Sequence, residues 1–448
     1  MAKKIIVIGS GAAGMTAASA AKERNPSAEV TVFTEDEDIA YSPCAIPWAI
    51  EGKSGWNEIV MHTPEYYRND RGIEVFTKTR VESVDDAAKT VTAGGKTYSY
   101  DSLVIATGGK VFVPPIPGAD LKNVFVVRTV RDGKNIQAAL EGVSDVVIGG
   151  AGVIGLELAV SLRNMGKKVT VIEMMDQVIP RIADKDMAEI VRKHLEDKGI
   201  EFVMKAPVQS VNGDGKVSSV TAAGKEYPCG VMIFATGIRA NLDIPKALGL
   251  DIGQLGTVIV SPTLQPYRRG RLVPGIYLAG DLVQCESAVM PGATSSQLGS
   301  SAVKQGLVAG RNAAGCPPSV FGPVASPWVS VIGDLQVAGT GLSEGLASWY
   351  GVSAAGGKAF GFTRARYYPG GKEMTVKVLA DRSTRRLIGA QIVAGEEATG
   401  RIEWLTSAIV SGMTADSFLA YAENAYCPPT SMVRDPVFAA VEDLCRNL

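Results

Sequence analysis

Apolar residues in this chain come in short runs that stop at glycine. Ile5-Ile6-Val7-Ile8 ends at Gly9-Ser10-Gly11-Ala12-Ala13-Gly14, and Val146-Val147-Ile148 leads to Gly150-Ala151-Gly152-Val153-Ile154-Gly155. Runs of this length read as buried strands of a parallel sheet, and the glycine turn after each opens a helix. In such a turn the first glycine makes the bend and the second lets a pyrophosphate approach the backbone. The third lets helix and strand pack closely. A second strand follows each turn, Glu29-Val30-Thr31-Val32-Phe33 in one case and Lys168-Val169-Thr170-Val171-Ile172-Glu173 in the other. Two turns in that context predict two dinucleotide sites on one chain.

The pattern repeats further along. Apolar residues run into Ala106-Thr107-Gly108 and again into Ala235-Thr236-Gly237, so the two units read as an internal repeat. The first helix, from Gly14 to about Arg24, is rich in small residues and suited to close packing. A helix over 184–198 carries Met187, Ile190, Val191 and Leu195 at helical spacing. Val113-Pro114-Pro115-Ile116-Pro117-Gly118 is a stiff, punctuated boundary. A strand then ends at Gly280-Asp281, a helical stretch covers 297–312, and Gly315-Cys316-Pro317-Pro318 marks another break. The remainder mixes a strand-like run, Met374 to Val378, with a helical one, Arg401 to Ser411, and reads as an α+β unit.

The 448 residues suffice for two or three domains. A formal net charge of −1 offers nothing to nucleic acid or to an anionic membrane surface, and no apolar run is long enough to span a bilayer. The N-terminus passes straight into a strand that the first turn needs, which is unlike a cleaved signal peptide. Six scattered cysteines form no CxxC clip and no cysteine–histidine metal pattern, as expected of a cytoplasmic protein with reduced thiols. Cys229, Cys285, Cys316 and Cys445 read as structural. Of the two histidines, His194 is expected to be solvated on the polar side of its helix, and His62 lies in Met61-His62-Thr63-Pro64.

Three further segments carry a resemblance: Tyr41-Ser42-Pro43-Cys44-Ala45-Ile46-Pro47, Tyr367-Tyr368-Pro369-Gly370 and Tyr426-Cys427-Pro428-Pro429. With the two glycine turns, they make the chain resemble the flavin-dependent pyridine nucleotide-disulfide oxidoreductases along essentially its whole length. The similarity is to the single-cysteine branch, which holds coenzyme A-disulfide reductases, NAD(P)H sulfur reductases, NADH oxidases and peroxidases. The resemblance implies an α/β fold of two Rossmann-like dinucleotide-binding domains plus a C-terminal α+β dimerisation domain. Residues 1–118 with 244–318 would bind FAD, 119–243 would bind NAD(P)H, and 319–448 would form a homodimer.

It also implies a site. FAD would be met by Gly9, Gly11, Ala12, Ala13, Gly14, Thr34, Glu35, Ser42, Ala106, Thr107, Gly108, Gly280, Asp281 and Gln297. The nicotinamide nucleotide would be met by Gly150, Gly152, Val153, Ile154, Gly155, Glu173, Thr236 and Gly237. Thr34 stands where the family places a ribose-binding acid, with Glu35 next. Glu173 is followed by Met174-Met175 rather than arginines, which favours NADH over NADPH. Cys44 would be the single redox thiol, because the position five residues later, a cysteine in dithiol members, is Ala49. Its oxidised form would be a mixed disulfide with a small thiol, a persulfide, a sulfenic acid, or a bond to a distant cysteine.

No histidine follows residue 194, which removes the family's C-terminal histidine–glutamate pair, and Ala12 stands where the peroxidase and oxidase branch usually carries histidine. Tyr367, Tyr368 and Tyr426, with Cys427, would reach the partner's Cys44. Lys22, Arg24 and Arg71 would meet coenzyme A phosphates, although Glu23 stands where the family often has arginine. The implied reaction passes electrons from NADH through FAD to a disulfide, a polysulfide or a coenzyme A derivative. Alternatives are an NADH oxidase or peroxidase cycling a sulfenic acid, and a flavoprotein subunit serving a protein partner.

Overall fold

The computed structural model describes residues 2–315 and 317–448. Its first sheet is parallel, in the order Ile276–Leu278, Ser102–Ile105, Lys4–Ile8, Glu29–Phe33, Ile73–Phe76. The second is parallel too, in the order Glu201–Val203, Lys168–Ile172, Asp145–Gly149, Val231–Phe234, Val124–Val126. Ile5, Val7, Val104, Val146, Ile148 and Val231 are buried, which is why these strands read as unbroken apolar runs.

The internal repeat extends to the hydrogen bonds. Gly9 N donates to Phe33 O and Gly150 N to Ile172 O, both at 2.8 Å. Each unit also carries a three-stranded antiparallel sheet, Val81–Asp85 with Thr90–Ala93 and Lys96–Ser99, and Val208–Asn212 with Ser219–Ala222 and Lys225–Pro228.

The first sheet is completed from far along the chain. Strand Ile276–Leu278 pairs with Ser102–Ile105, and helix Gly299–Ala314 packs on helix Ala12–Arg24. That packing is close to backbone contact. A Cβ at Gly306 would lie 2.4 Å from Ala13 O, and one at Gly310 would lie 2.1 Å from Ala17 O. The glycines of the later helix are therefore required by the backbone of the first.

The C-terminal unit is an antiparallel sheet ordered Trp328–Ile332, Leu335–Gly341, Leu387–Ala394, Glu373–Asp381, Ala354–Phe362, with helices Ala398–Val410 and Pro436–Asn447 packed on it. It is bolted to the second unit around Lys377. The Lys377 ammonium lies 3.1 Å from Asp184, 2.9 Å from Asp186 and 3.0 Å from Glu344, and Gln391 holds both the Asp184 amide and carboxylate. Asp184 and Lys377 are buried, so the pairing offsets their loss of water.

The expected helices are present with small shifts at their ends, at Lys185–Asp197, Gly299–Ala314 and Ala398–Val410. One expectation is corrected. His194 is not simply solvated: its Nε2 lies 2.5 Å from Asp334, on the turn between the first two C-terminal strands, and Lys198 shares that carboxylate. Period alone gives the helix face but not the element that lands on it.

Candidate active site

Both glycine turns open into one cleft of about 1930 Å³. Ordinary single-ligand pockets run to about 300–1,000 Å³, so this cleft has room for more than one such ligand. The turns match at their corresponding glycines. Gly9 has φ +108° and Gly150 φ +111°, and an added Cβ would lie 2.3 Å from Ala106 O and 2.5 Å from Ala235 O respectively. Behind them, a Cβ at Gly14 would lie 1.9 Å from Gly9 O, and one at Gly155 would lie 2.1 Å from Gly150 O. Gly11 and Gly152 have open space instead, and each precedes the first turn of its helix with amides free for an anion. Ser295 and Ser326, both lining the cleft, have buried hydroxyls with no partner among the described residues. Two dinucleotide cradles sharing one cavity fit these features.

Gly9, Gly11, Ala12, Ala13, Thr34, Glu35, Ala106, Thr107, Gly108, Gly280, Asp281 and Gln297 line the cleft on the first side. Gly14 and Ser42 do not. Gly14 is the support beneath Gly9, and Ser42 precedes the short helix Pro43–Ala45 that carries Cys44. The Thr34 hydroxyl accepts from Ser10 Oγ at 3.0 Å. On the second side Gly152, Val153, Ile154 and Gly237 line the cleft, while Gly150, Gly155, Thr236 and Glu173 do not. Glu173 is buried, with one carboxylate oxygen accepting from Ala151 N and the other from Met175 N, each at 2.8 Å. It thus braces the second turn through that turn's own backbone.

Cys44 lies in the cleft wall between Pro43 and Pro47, as an exposed residue whose thiol is nonetheless crowded by neighbouring atoms. Packing by surrounding atoms pushes its pKa up, the Glu157 carboxylate pushes it further, and Arg128 opposes both. Glu157 is itself raised by burial, and its carboxylate accepts from Ser330 Oγ of the C-terminal unit at 2.5 Å. Arg128 donates to Asp281 at 2.7 Å. Sequence reasoning missed Glu157, Arg128 and Arg181, all of which line the cleft. A signal existed for one: Arg128 directly precedes Thr129, the cap of a helix whose Asp132 closes a capping box.

Tyr367, Tyr368, Tyr426 and Cys427 do not line the cleft of their own chain. Tyr367 and Tyr426 are joined hydroxyl to hydroxyl at 2.8 Å, and that bond raises the Tyr426 phenol. Tyr367 and Tyr426 are exposed, as are Trp349, Phe360 and Tyr421 on the same unit. Lys22, Arg24 and Arg71 lie outside the cleft as well. The Lys22 ammonium donates to Ala28 O at 2.8 Å, and Arg71 pairs with Glu23 at 2.7 Å. Among the other thiols, burial raises Cys229 to about 12 and Cys285 to about 11, and Gln305 donates to the Cys285 sulfur at 3.1 Å. Thiols so raised are inert at neutral pH. Cys316 lies outside the described residues. His62 stacks on Tyr66 at 4.1 Å and does not line the cleft.

Residues 3–306 match the pyridine nucleotide-disulphide oxidoreductase family, and residues 327–435 match the dimerisation domain of those proteins. A protein of Methanocaldococcus jannaschii named NADH oxidase is 42% identical over 99% of both chains. One of Pyrococcus horikoshii named NAD(P)H coenzyme A polysulfide/persulfide reductase is 34% identical over 98% of this chain and 97% of its own. The solved structure of a NAD-dependent persulfide reductase from A. fulgidus superposes with a TM-score of 0.93 at 33% identity, covering 98% of this chain and 82% of that one. No helix among the described residues is long and apolar enough to cross a membrane.

Proposed function

The chain belongs to the pyridine nucleotide-disulphide oxidoreductase family, and on that premise we propose that it moves electrons from NADH to a small disulfide or polysulfide held at Cys44. It is an NAD(P)H-dependent flavin oxidoreductase that uses FAD and a nicotinamide nucleotide. The observation that carries the acceptor is Cys44, an exposed residue in the wall of the cleft onto which both glycine turns open, with no other cysteine among the described residues lining it. Gly9, Gly11, Thr34, Glu35 and Asp281 would hold FAD, which when bound supplies a two-electron path between nicotinamide and sulfur.

Cys44 does the sulfur chemistry. Its thiolate attacks one sulfur of the acceptor, a Cys44–sulfur bond forms, and the acceptor's S–S bond breaks. The leaving thiolate takes a proton. Two electrons from NADH then cleave the new bond and return Cys44 as thiolate with a second thiol. The balance is NADH, one proton and one disulfide to NAD⁺ and two thiols. Arg128 favours the thiolate and Glu157 disfavours it.

We place the reaction in a homodimer, in which Tyr367 and Tyr426 of one subunit would offer phenolic protons at the partner's cleft. Lys22 and Arg71 are already engaged, which reduces the positive charge on offer to phosphates and favours a small sulfur acceptor over a coenzyme A derivative. A second reading, oxygen as acceptor with Cys44 cycling through a sulfenic acid, is favoured by the name of the Methanocaldococcus relative. Anaerobic NADH oxidation screened against polysulfide, low-molecular-weight disulfides and coenzyme A disulfide, beside an aerobic control, tests both. Rapid turnover with oxygen alone would replace the first reading by the second.

Two smaller expectations arise here. NADH should be the better donor by roughly ten- to a hundredfold in kcat/KM, about 1–3 kcal/mol, the scale of a charged hydrogen bond. The negative charge of Glu173, held by backbone amides beneath the second turn, would disfavour a 2′-phosphate on the nucleotide seated above it, and a higher kcat/KM with NADPH would refute that role. Cys427→Ala should keep most of the activity, because a neighbour that packs beside Tyr426 need not exchange electrons. If the variant proves as inactive as one lacking Cys44, Cys427 is a second redox centre.

A further inference from the structure

Four basic side chains line the cleft: Arg80, Lys110, Arg128 and Arg181. Three face carboxylates. Arg80 is 3.8 Å from Glu35 and 3.7 Å from Asp243, Lys110 is 2.8 Å from Asp243, and Arg128 is 2.7 Å from Asp281. Among the described residues the Arg181 guanidinium has no hydrogen-bond or ion-pair partner; only its carbonyl is engaged. The cleft therefore holds one uncompensated cation.

The loop that carries it is strained and held from several directions. Ile179 has φ +46° and Arg181 φ +73°, a conformation that is unfavourable for side chains and most of all for a β-branched one. Such strain persists only where the surroundings over-determine it. Here Ile179 N donates to Ala151 O at 2.8 Å, which ties the loop to the second glycine turn, and the Ile179 side chain is fully buried. Gln177 Nε2 donates to Ala183 O at 2.8 Å. Ser343 of the C-terminal unit donates to Arg181 O at 2.9 Å, and Asp184 just beyond is fixed by Gln391 and Lys377. These bonds fix the backbone at Arg181 and leave its guanidinium unengaged in a cleft wall that also holds Gly152, Val153 and Met175.

We propose that Arg181 takes a phosphate group of the bound nicotinamide nucleotide. Its planar fork of donors matches a phosphate in geometry as well as charge. The shared chemistry has two sources, the pyrophosphate common to both nucleotides and the 2′-phosphate of NADPH. The proposal concerns the donor side alone and stands whichever acceptor Cys44 serves.

The test uses the flavin-loaded full chain. Binding of NAD⁺ and of NADP⁺ to the oxidised enzyme is measured by titration calorimetry, and KM and kcat for NADH with a dye that accepts electrons without Cys44. Arg181→Met should weaken NAD⁺ binding about tenfold or more, raise KM in step, and leave kcat within about twofold, as for binding that is equal in ground and transition states. The fall of affinity with added salt should also flatten, which a merely structural role would not produce. Equal losses for NAD⁺ and NADP⁺ identify the pyrophosphate, and a loss for NADP⁺ alone identifies the 2′-phosphate. If neither affinity moves by more than about twofold, the proposal is overturned. Should Arg181→Met lose its flavin, Arg181→Gln carries the same measurements with the same outcomes.

Discussion

Cys44→Ser is expected to keep its flavin and still be reduced by NADH, while turnover with a disulfide or polysulfide falls by about a thousandfold or more, as for loss of a nucleophile. The asymmetry follows from placement. Cys44 lies in the wall shared by the two cradles, but the turns that make them are built from Gly9, Gly11, Gly150 and Gly152 and need no sulfur. A serine hydroxyl at that place is neither acidic enough nor polarisable enough to attack a disulfide. Dyes that take electrons directly should still be reduced, which separates a dead thiol from an unfolded protein. The thiol's raised pKa adds a pH dependence. Since burial and Glu157 disfavour the thiolate, sulfur-acceptor turnover should climb with pH above neutrality, and dye reduction should not follow the same curve. Near-normal sulfur turnover by Cys44→Ser, read in an anaerobic stopped-flow and steady-state pair, would sink the mechanism.

Gly9→Ala and Gly150→Ala should produce opposite losses of similar size. At either position a Cβ must occupy a backbone conformation with φ above +100° and approach a carbonyl oxygen to within 2.5 Å or less. Neither obstacle is the end of a flexible side chain, so the turn itself must shift, at a cost of about 1–3 kcal/mol or more. Gly9→Ala is expected to be purified largely without FAD and to regain it about a hundredfold more weakly. Gly150→Ala should keep its flavin, seen in the absorbance spectrum, and lose reduction by NADH at ordinary concentrations. If the two variants are interchangeable, with both losing flavin or both losing only NADH, the assignment of one turn to each nucleotide fails.

Much of this architecture was legible because it is local. The runs at Ile5–Ile8 and Val146–Ile148, the turns after them and the Ala-Thr-Gly ends are short-range patterns, and the repeat doubled each signal. The loop carrying Tyr426 was legible only through resemblance. What stayed hidden was set by contacts between distant segments. Nothing near Arg128 in the chain points to Asp281, and nothing near Glu157 points to Ser330. Arg181 reads as an ordinary surface arginine until Ser343 and Ala151 are seen holding its loop. Glu173 shows the converse: its place at a strand end is plain from sequence, but its two backbone bonds are not, and they give it a bracing role in the turn it serves.

The late arrival of strand Ile276–Leu278 in the first sheet has a consequence for how the chain is made. A nascent chain emerges N-terminus first, and its contiguous units close as they appear. The second sheet takes all its strands from between Val124 and Phe234, so it can close as soon as that stretch is free of the ribosome. The first sheet begins earlier and finishes later, waiting for the strand at 276 and the helix that ends at Ala314. Until then helix Ala12–Arg24 lacks the neighbour whose glycines approach its backbone. If the first glycine turn holds the flavin, as proposed, FAD would be acquired late, after the unit between Val124 and Phe234 has already folded.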